Sequence, residues 1–82
     1  MTNTTWVRDG APRYTRQLTR GRVATATKVR RPIEFSWQIV VRTARGDSFT
    51  VCSAVKFADA KRAFEACAKA GVTQYGRPFA GL

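Results

Sequence analysis

The sequence predicts an α+β fold. A small three-stranded antiparallel sheet, over about residues 21–31, 34–43 and 48–55, packs on one C-terminal helix over about residues 57–70 and is preceded by a basic N-terminal arm. Three observations lead there. Two stretches alternate large apolar and polar side chains at the period of a strand, a turn ending in glycine joins them, and the next stretch repeats apolar residues at the period of a helix. At 82 residues the chain is one small domain. A chain of this size buries only about 60% of the surface that its unfolded form exposes, so the core is small.

Residues 1–20 are rich in Thr and Arg, with Asp9-Gly10 and Pro12 as turn signals and Trp6, Tyr14 and Leu18 as isolated large side chains. No helical period persists, so the stretch reads as an arm, or at most as a short hairpin closed near Asp9-Gly10. Residues 21–82 then form the β-β-β-α domain with a short tail. In its first strand the β-branched Val23, Thr25, Thr27 and Val29 alternate with Ala24, Ala26 and Lys28, and Pro32, which has no N–H to give a ladder, ends it.

The second strand turns Phe35, Trp37, Ile39 and Val41 one way and Ser36, Gln38, Val40 and Arg42 the other. The third sets Phe49, Val51, Ser53 and Val55 against Ser48, Thr50, Cys52 and Ala54. For the apolar faces to coincide, Val41 must oppose Phe49 and Ile39 must oppose Val51, which places Thr43 opposite Asp47 and makes Ala44-Arg45-Gly46 the loop. Gly46 then occupies the third loop position, where this hairpin type needs a left-handed residue. In the helix, Phe57, Ala60, Phe64, Cys67 and Ala68 form one apolar stripe, Asp59 and Lys69 complement the dipole at its two ends, and Gly71 suits the stop. Beyond it Val72 to Tyr75 reads as a short strand, with Tyr75 and Phe79 covering an edge of the core.

Charge dominates the functional reading. Fifteen Lys and Arg against five Asp and Glu give +10, and residues 1–31 alone carry +7. Such a field concentrates polyanions, so nucleic acid is the first partner, with DNA ahead of RNA, and an acidic protein the alternative. The chain has no His, and its five acids, Asp9, Glu34, Asp47, Asp59 and Glu65, are scattered. No acid–base pair, nucleophile dyad, metal site or phosphate-cradling glycine loop assembles from them, so neither an enzyme nor a cofactor is expected. Asp59 and Glu65 read as a helix-end charge and a solvated residue. Cys52 and Cys67 read as reduced thiols on opposite sides of the sheet, in a cytoplasmic setting. The longest aliphatic run, Ile39-Val40-Val41, is far short of a membrane span, so no membrane partner is expected.

The expected function is therefore a small basic module that binds nucleic acid without catalysis, of a kind suited to a phage or mobile element. Arg16, Arg20, Arg22, Lys28, Arg30 and Arg31 are the candidates for phosphate contacts, Gln38 and Arg42 for base edges, and Arg45 for a further contact from the hairpin loop. Trp6 and Tyr14 are the candidates for stacking on bases. About six neutralised phosphates would give a log–log salt slope near −5. The alternative is a protein-binding effector or inhibitor that docks on an acidic protein or assembly, and a homodimer suits either reading.

The spacing from Trp37 through Ile39, Val41 and Thr43 to Gly46, followed by F-x-D-A-x-x-A at Phe57 to Ala63, resembles the small AP2-like and arm-type DNA-binding domains of phage integrases. The resemblance covers about half the chain. It implies a three-stranded sheet whose exposed face reads a major groove.

Overall fold

A computed structural model describes residues 6–8, 10, 13–30 and 35–79 of the chain. Five strands, β1 (Val7–Arg8), β2 (Arg13–Gln17), β3 (Val23–Arg30), β4 (Phe35–Arg42) and β5 (Ser48–Ala54), precede one helix, α1 (Phe57–Ala70). They form a single antiparallel sheet whose spatial order is the chain order. Helix α1 crosses one face, against β4 and β5.

The sheet thus has five strands where three were expected. The two additional ones come from the N-terminal segment, and no basic arm is present among the described residues. Val7 pairs with Thr15 and Arg8 with Tyr14, and β2 pairs along its whole length with β3. The alternation in β2 escapes notice because one of its two inward positions is an arginine. Tyr14 and Arg16 turn toward the helix and Arg13, Thr15 and Gln17 away from it, and Arg16 is 1% exposed.

The β4–β5 hairpin follows its sequence pattern through the turn. Val41 opposes Phe49, the Thr43 amide donates to the Asp47 carbonyl at 2.8 Å, and Gly46 closes the loop at φ 94°. Beyond that the register shifts, and Ile39 pairs with Cys52 rather than with Val51. Val51 is the extra residue of a β-bulge, which turns two successive side chains toward one face and reverses the alternation after it. Val51 and Cys52 are both fully buried, Ala54 opposes Trp37 on the helix side, and Ser53 moves to the outer face. The expected placement of Cys52 away from the helix, and of Ser53 with the core residues, is therefore corrected. The Cys52 thiol donates to the Ala60 carbonyl of α1 at 3.6 Å, and both cysteines are free.

Helix α1 has the expected limits and the expected stripe. Ala60 and Phe64 are buried, while Phe57, Ala63, Cys67 and Ala68 pack partly buried around them. It stops at Gly71, whose left-handed φ of 77° lets the Gly71 and Val72 amides both donate to the Cys67 carbonyl. Phe64 is the centre of the core, with rings of Trp6 and Phe79 at 5.6 Å each. Burying such a ring contributes about 2–3 kcal/mol.

The tail makes a single bridge, Val72 to Pro78, in place of the expected short strand. Buried Thr73 holds the loop by accepting from the Tyr75 and Arg77 amides, and Phe79, 3% exposed, closes the core. The Gln74 amide donates to the Val51 carbonyl and its side chain accepts from the Ser53 amide, so the tail occupies part of the free edge of β5. Covering an edge in this way protects it from pairing with another chain.

Candidate functional site

The face of the sheet away from α1 is covered by no other element among the described residues. Pairing places side chains on it in rows. The middle row runs Val7, Thr15, Thr25, Val40 and Thr50 across all five strands. One flanking row is Arg13, Thr27, Gln38 and Ser53, and the other is Gln17, Val23, Arg42 and Ser48. Gln38 donates to Thr50 Oγ1 at 3.2 Å, which bridges neighbouring rows. No carboxylate appears in these rows. Arg13 and Arg42 stand at diagonal corners, four residues apart along the strands and two strands apart across them, so their Cα atoms are separated by roughly 16 Å.

The expected contact residues divide by position. Arg13, which the sequence pattern did not single out, is exposed on the outer face together with Arg42, and Gln38 lies half-buried between them. Arg20 and Arg45 are exposed on the β2–β3 and β4–β5 turns, which lie side by side at the Arg42 end. Lys28 and Arg30 are exposed at the opposite end, but their pairing with Trp37 and Phe35 puts them on the helix side of the sheet. Arg31 lies outside the described residues.

Arg16 and Arg22 are structural in this arrangement. The Arg16 guanidinium lies over the Phe64 ring at 5.6 Å and forms an ion pair with Glu65, a residue 49 positions away in sequence. Glu65, expected to be solvated, is instead the counter-ion that permits an arginine beneath the helix. Arg22, 8% exposed, donates from Nε to the Thr19 carbonyl at 3.2 Å and from its terminal nitrogen to Thr19 Oγ1 at 3.1 Å, and sits 6.0 Å from the Phe79 ring.

Trp6 and Tyr14 are likewise committed inward. Tyr14 stacks on Phe57 with ring centroids 4.4 Å apart, Trp6 meets Phe57 edge-on at 6.1 Å, and Trp37 joins them at 4.7 Å from Phe57. The groove beside these rings is lined also by Lys61, Arg62 and Glu65, of which Arg62 pairs with Asp59. Lys61 lies 4.8 Å from the Phe57 ring, as a cation on an aromatic face. The outer face carries one described aromatic, Tyr75, whose hydroxyl is 3.3 Å from Ser53 Oγ at the β5 edge.

Two turn positions carry more than topology. Arg20 is the one described non-glycine residue at positive φ (φ 61°, ψ 33°), followed by Gly21 at φ 71°. Two successive positive values are what a type I′ turn demands, and Asn-Gly or Gly-Gly ordinarily supplies them. A left-handed backbone costs a β-carbon-bearing residue about 1–2 kcal/mol. Across from it, the Oγ1 atom of Thr43 is buried without a hydrogen-bond partner.

Burial, and secondarily the nearby Cys67 thiol, push the Cys52 thiol from 9.0 up to about 12. It is therefore a small buried hydrophobe rather than a nucleophile. Among the described residues no group of three or more His, Cys, Asp or Glu side chains is placed to hold a metal ion, and no helix is long and apolar enough to cross a membrane.

Fold and site together define a small basic α+β protein, an antiparallel meander backed by one C-terminal helix, with an open face that carries no carboxylate in its rows among the described residues. Comparison of the chain with family models, with curated proteins and with solved structures gives no match.

Proposed function

We propose that the protein is a non-enzymatic nucleic-acid-binding module, of the kind a phage or mobile element would use, and that the outer face of its sheet is the binding surface. The observation that carries this reading is the charge distribution over that face. Arg13 and Arg42 bracket rows of Thr, Ser, Gln and Val, Arg20 and Arg45 extend one end, and the acids of the helix are already paired with Arg16 and Arg62. Hydroxyl and amide groups between fixed cations suit a phosphate backbone, where most protein–DNA hydrogen bonds fall. DNA is placed ahead of RNA because, apart from Tyr75 at the β5 edge, the described face offers small polar groups rather than rings for unstacked bases.

The geometry also revises how such a face would engage. Five strands at about 4.8 Å spacing make a surface close to 19 Å wide, broader than a major groove of about 12 Å, so the sheet straddles the backbone rather than entering the groove. With Arg13, Arg20, Arg42 and Arg45 as the cations of this face and its end, the contacts number about four and the expected salt slope is about −3.6. Affinities for duplex and single strands at two salt concentrations test this. Weak binding with a flat slope contradicts it.

A second reading, docking on an acidic protein, is favoured by one observation. Among the described strands β1 ends the sheet, and a sheet edge can take up a further strand. Pairing through β1, with a partner or with a second copy, should be blocked by Val7→Pro, which removes a backbone donor. A light-scattering mass, and capture of the partner after nuclease digestion, read the effect.

A further inference from the structure

We infer that the two adjacent turns at the Arg42 end of the sheet form a seat for a phosphate group. The Thr19–Gly21 turn and the Ala44-Arg45-Gly46 loop lie in contact, close enough that a β-carbon on Gly21 would stand 3.3 Å from that of Ala44. The depression between them is lined by Arg20, Arg22, Thr43, Ala44, Arg45 and Asp47, three guanidinium groups to one carboxylate. Arg22 is fixed at one side by Thr19 and contributes a charge that does not need to be ordered on binding. Arg20 and Arg45 are exposed and stand one on each turn. Arginines on two adjacent turns bring guanidinium forks that suit a tetrahedral oxyanion with several acceptor oxygens.

One further feature points to a ligand. Arg20 occupies a left-handed position where glycine would sit without strain, and strain of this kind concentrates at binding sites. A strained arginine on one wall of a basic depression, with Arg45 on the other, is explained by an anion between them. For a phosphodiester as the source the inference rests on the nucleic-acid reading, whereas a free phosphate presents the same oxygens without it.

The test is amide chemical-shift mapping on the full chain with two probes, inorganic phosphate and a short DNA duplex, at constant ionic strength. With inorganic phosphate, shifts confined to Thr19–Arg22 and Thr43–Asp47 are expected, and with the duplex these amides should shift together with those of the outer sheet face. The decisive variant is Arg20→Gly, which relieves the backbone and removes the guanidinium: its melting temperature should equal or exceed that of the parent, while affinity at these amides falls by roughly tenfold or more. Arg45→Ala, on the other turn, should weaken the same shifts without moving the fold. Shifts with both probes, or with the duplex alone, assign the seat to a phosphodiester, and shifts with inorganic phosphate alone assign it to a free phosphate and count against the nucleic-acid reading. The inference is overturned if neither probe moves these amides, if Arg20→Gly binds as the parent does, or if the duplex shifts only the outer sheet face, in which case the nucleic-acid reading survives alone.

Discussion

Arg16 separates a structural arginine from a binding one, and the separation is measurable. Replacing Glu65 by Gln takes the Glu65 carboxylate away from the guanidinium beneath the helix. Breaking a fully buried pair in this way destabilises by about 3–5 kcal/mol. Glu65 is 51% exposed at its side chain, so water already screens part of the interaction, and about 1–2 kcal/mol is the expected loss. Replacing Arg16 by Met removes the charge together with the need for a partner, keeps most of the volume over Phe64, and should destabilise less than Glu65→Gln. In a domain of this size each kcal/mol moves the melting temperature by about 4–8 °C, so thermal unfolding by circular dichroism resolves the two variants. Arg16→Met, still folded, should bind a duplex as the parent does. The reasoning is refuted if Arg16→Met weakens binding tenfold at an unchanged melting temperature, or if Glu65→Gln is neutral.

Other expectations follow from the same contacts. Phe64→Ala should destabilise by about 3–5 kcal/mol, a large part of the total stability of so small a domain, as read from urea unfolding. Thr73→Val leaves the Tyr75 and Arg77 amides without their acceptor and should lose about 1–2 kcal/mol, with hydrogen exchange rising first in the tail loop. For Cys52 the folded thiol is held protonated up to about 12 whereas the unfolded one ionises near 9.0, so the folded state binds more protons between those values. Its stabilising contribution is complete below pH 9 and is lost as the pH rises toward 12, by up to about 1.4 kcal/mol per pH unit. Urea unfolding at pH 8 and above pH 10 should show Cys52→Ala losing less stability over that range than the parent, and equal losses would count against the assignment.

How much of this was legible in the sequence depends on how local each signal was. The helix limits, its stripe and the Ala44-Arg45-Gly46 loop follow from short periodic patterns and one glycine. The bulge at Val51 has no such mark, since an extra apolar residue between Thr50 and Cys52 leaves the composition of a regular strand unchanged. Strand β2 was hidden because the partner that makes Arg16 acceptable inside, Glu65, lies in the helix. For β3 the alternation was visible but its polarity was not. Ala24 and Ala26 face the helix side because their small size leaves room for Arg16 and Tyr14 beside them, which sends Thr25 and Thr27 outward and Lys28 and Arg30 to the helix side. The candidate site suffered in the same way. Arg42 and Gln38 followed from clean alternation in β4, whereas Arg13 required β2 to be recognised, and Trp6 and Tyr14 looked available only while Phe57 was not known to lie against them.

The most direct measurement of the central claim is the salt dependence of duplex affinity for the parent and for the Arg13→Ala/Arg42→Ala double variant. If the outer face carries the contacts, the parent slope should be near −3.6, and the variant slope should be shallower by about 1.8 with its fold intact. An unchanged slope in the double variant would place the binding surface elsewhere on the molecule.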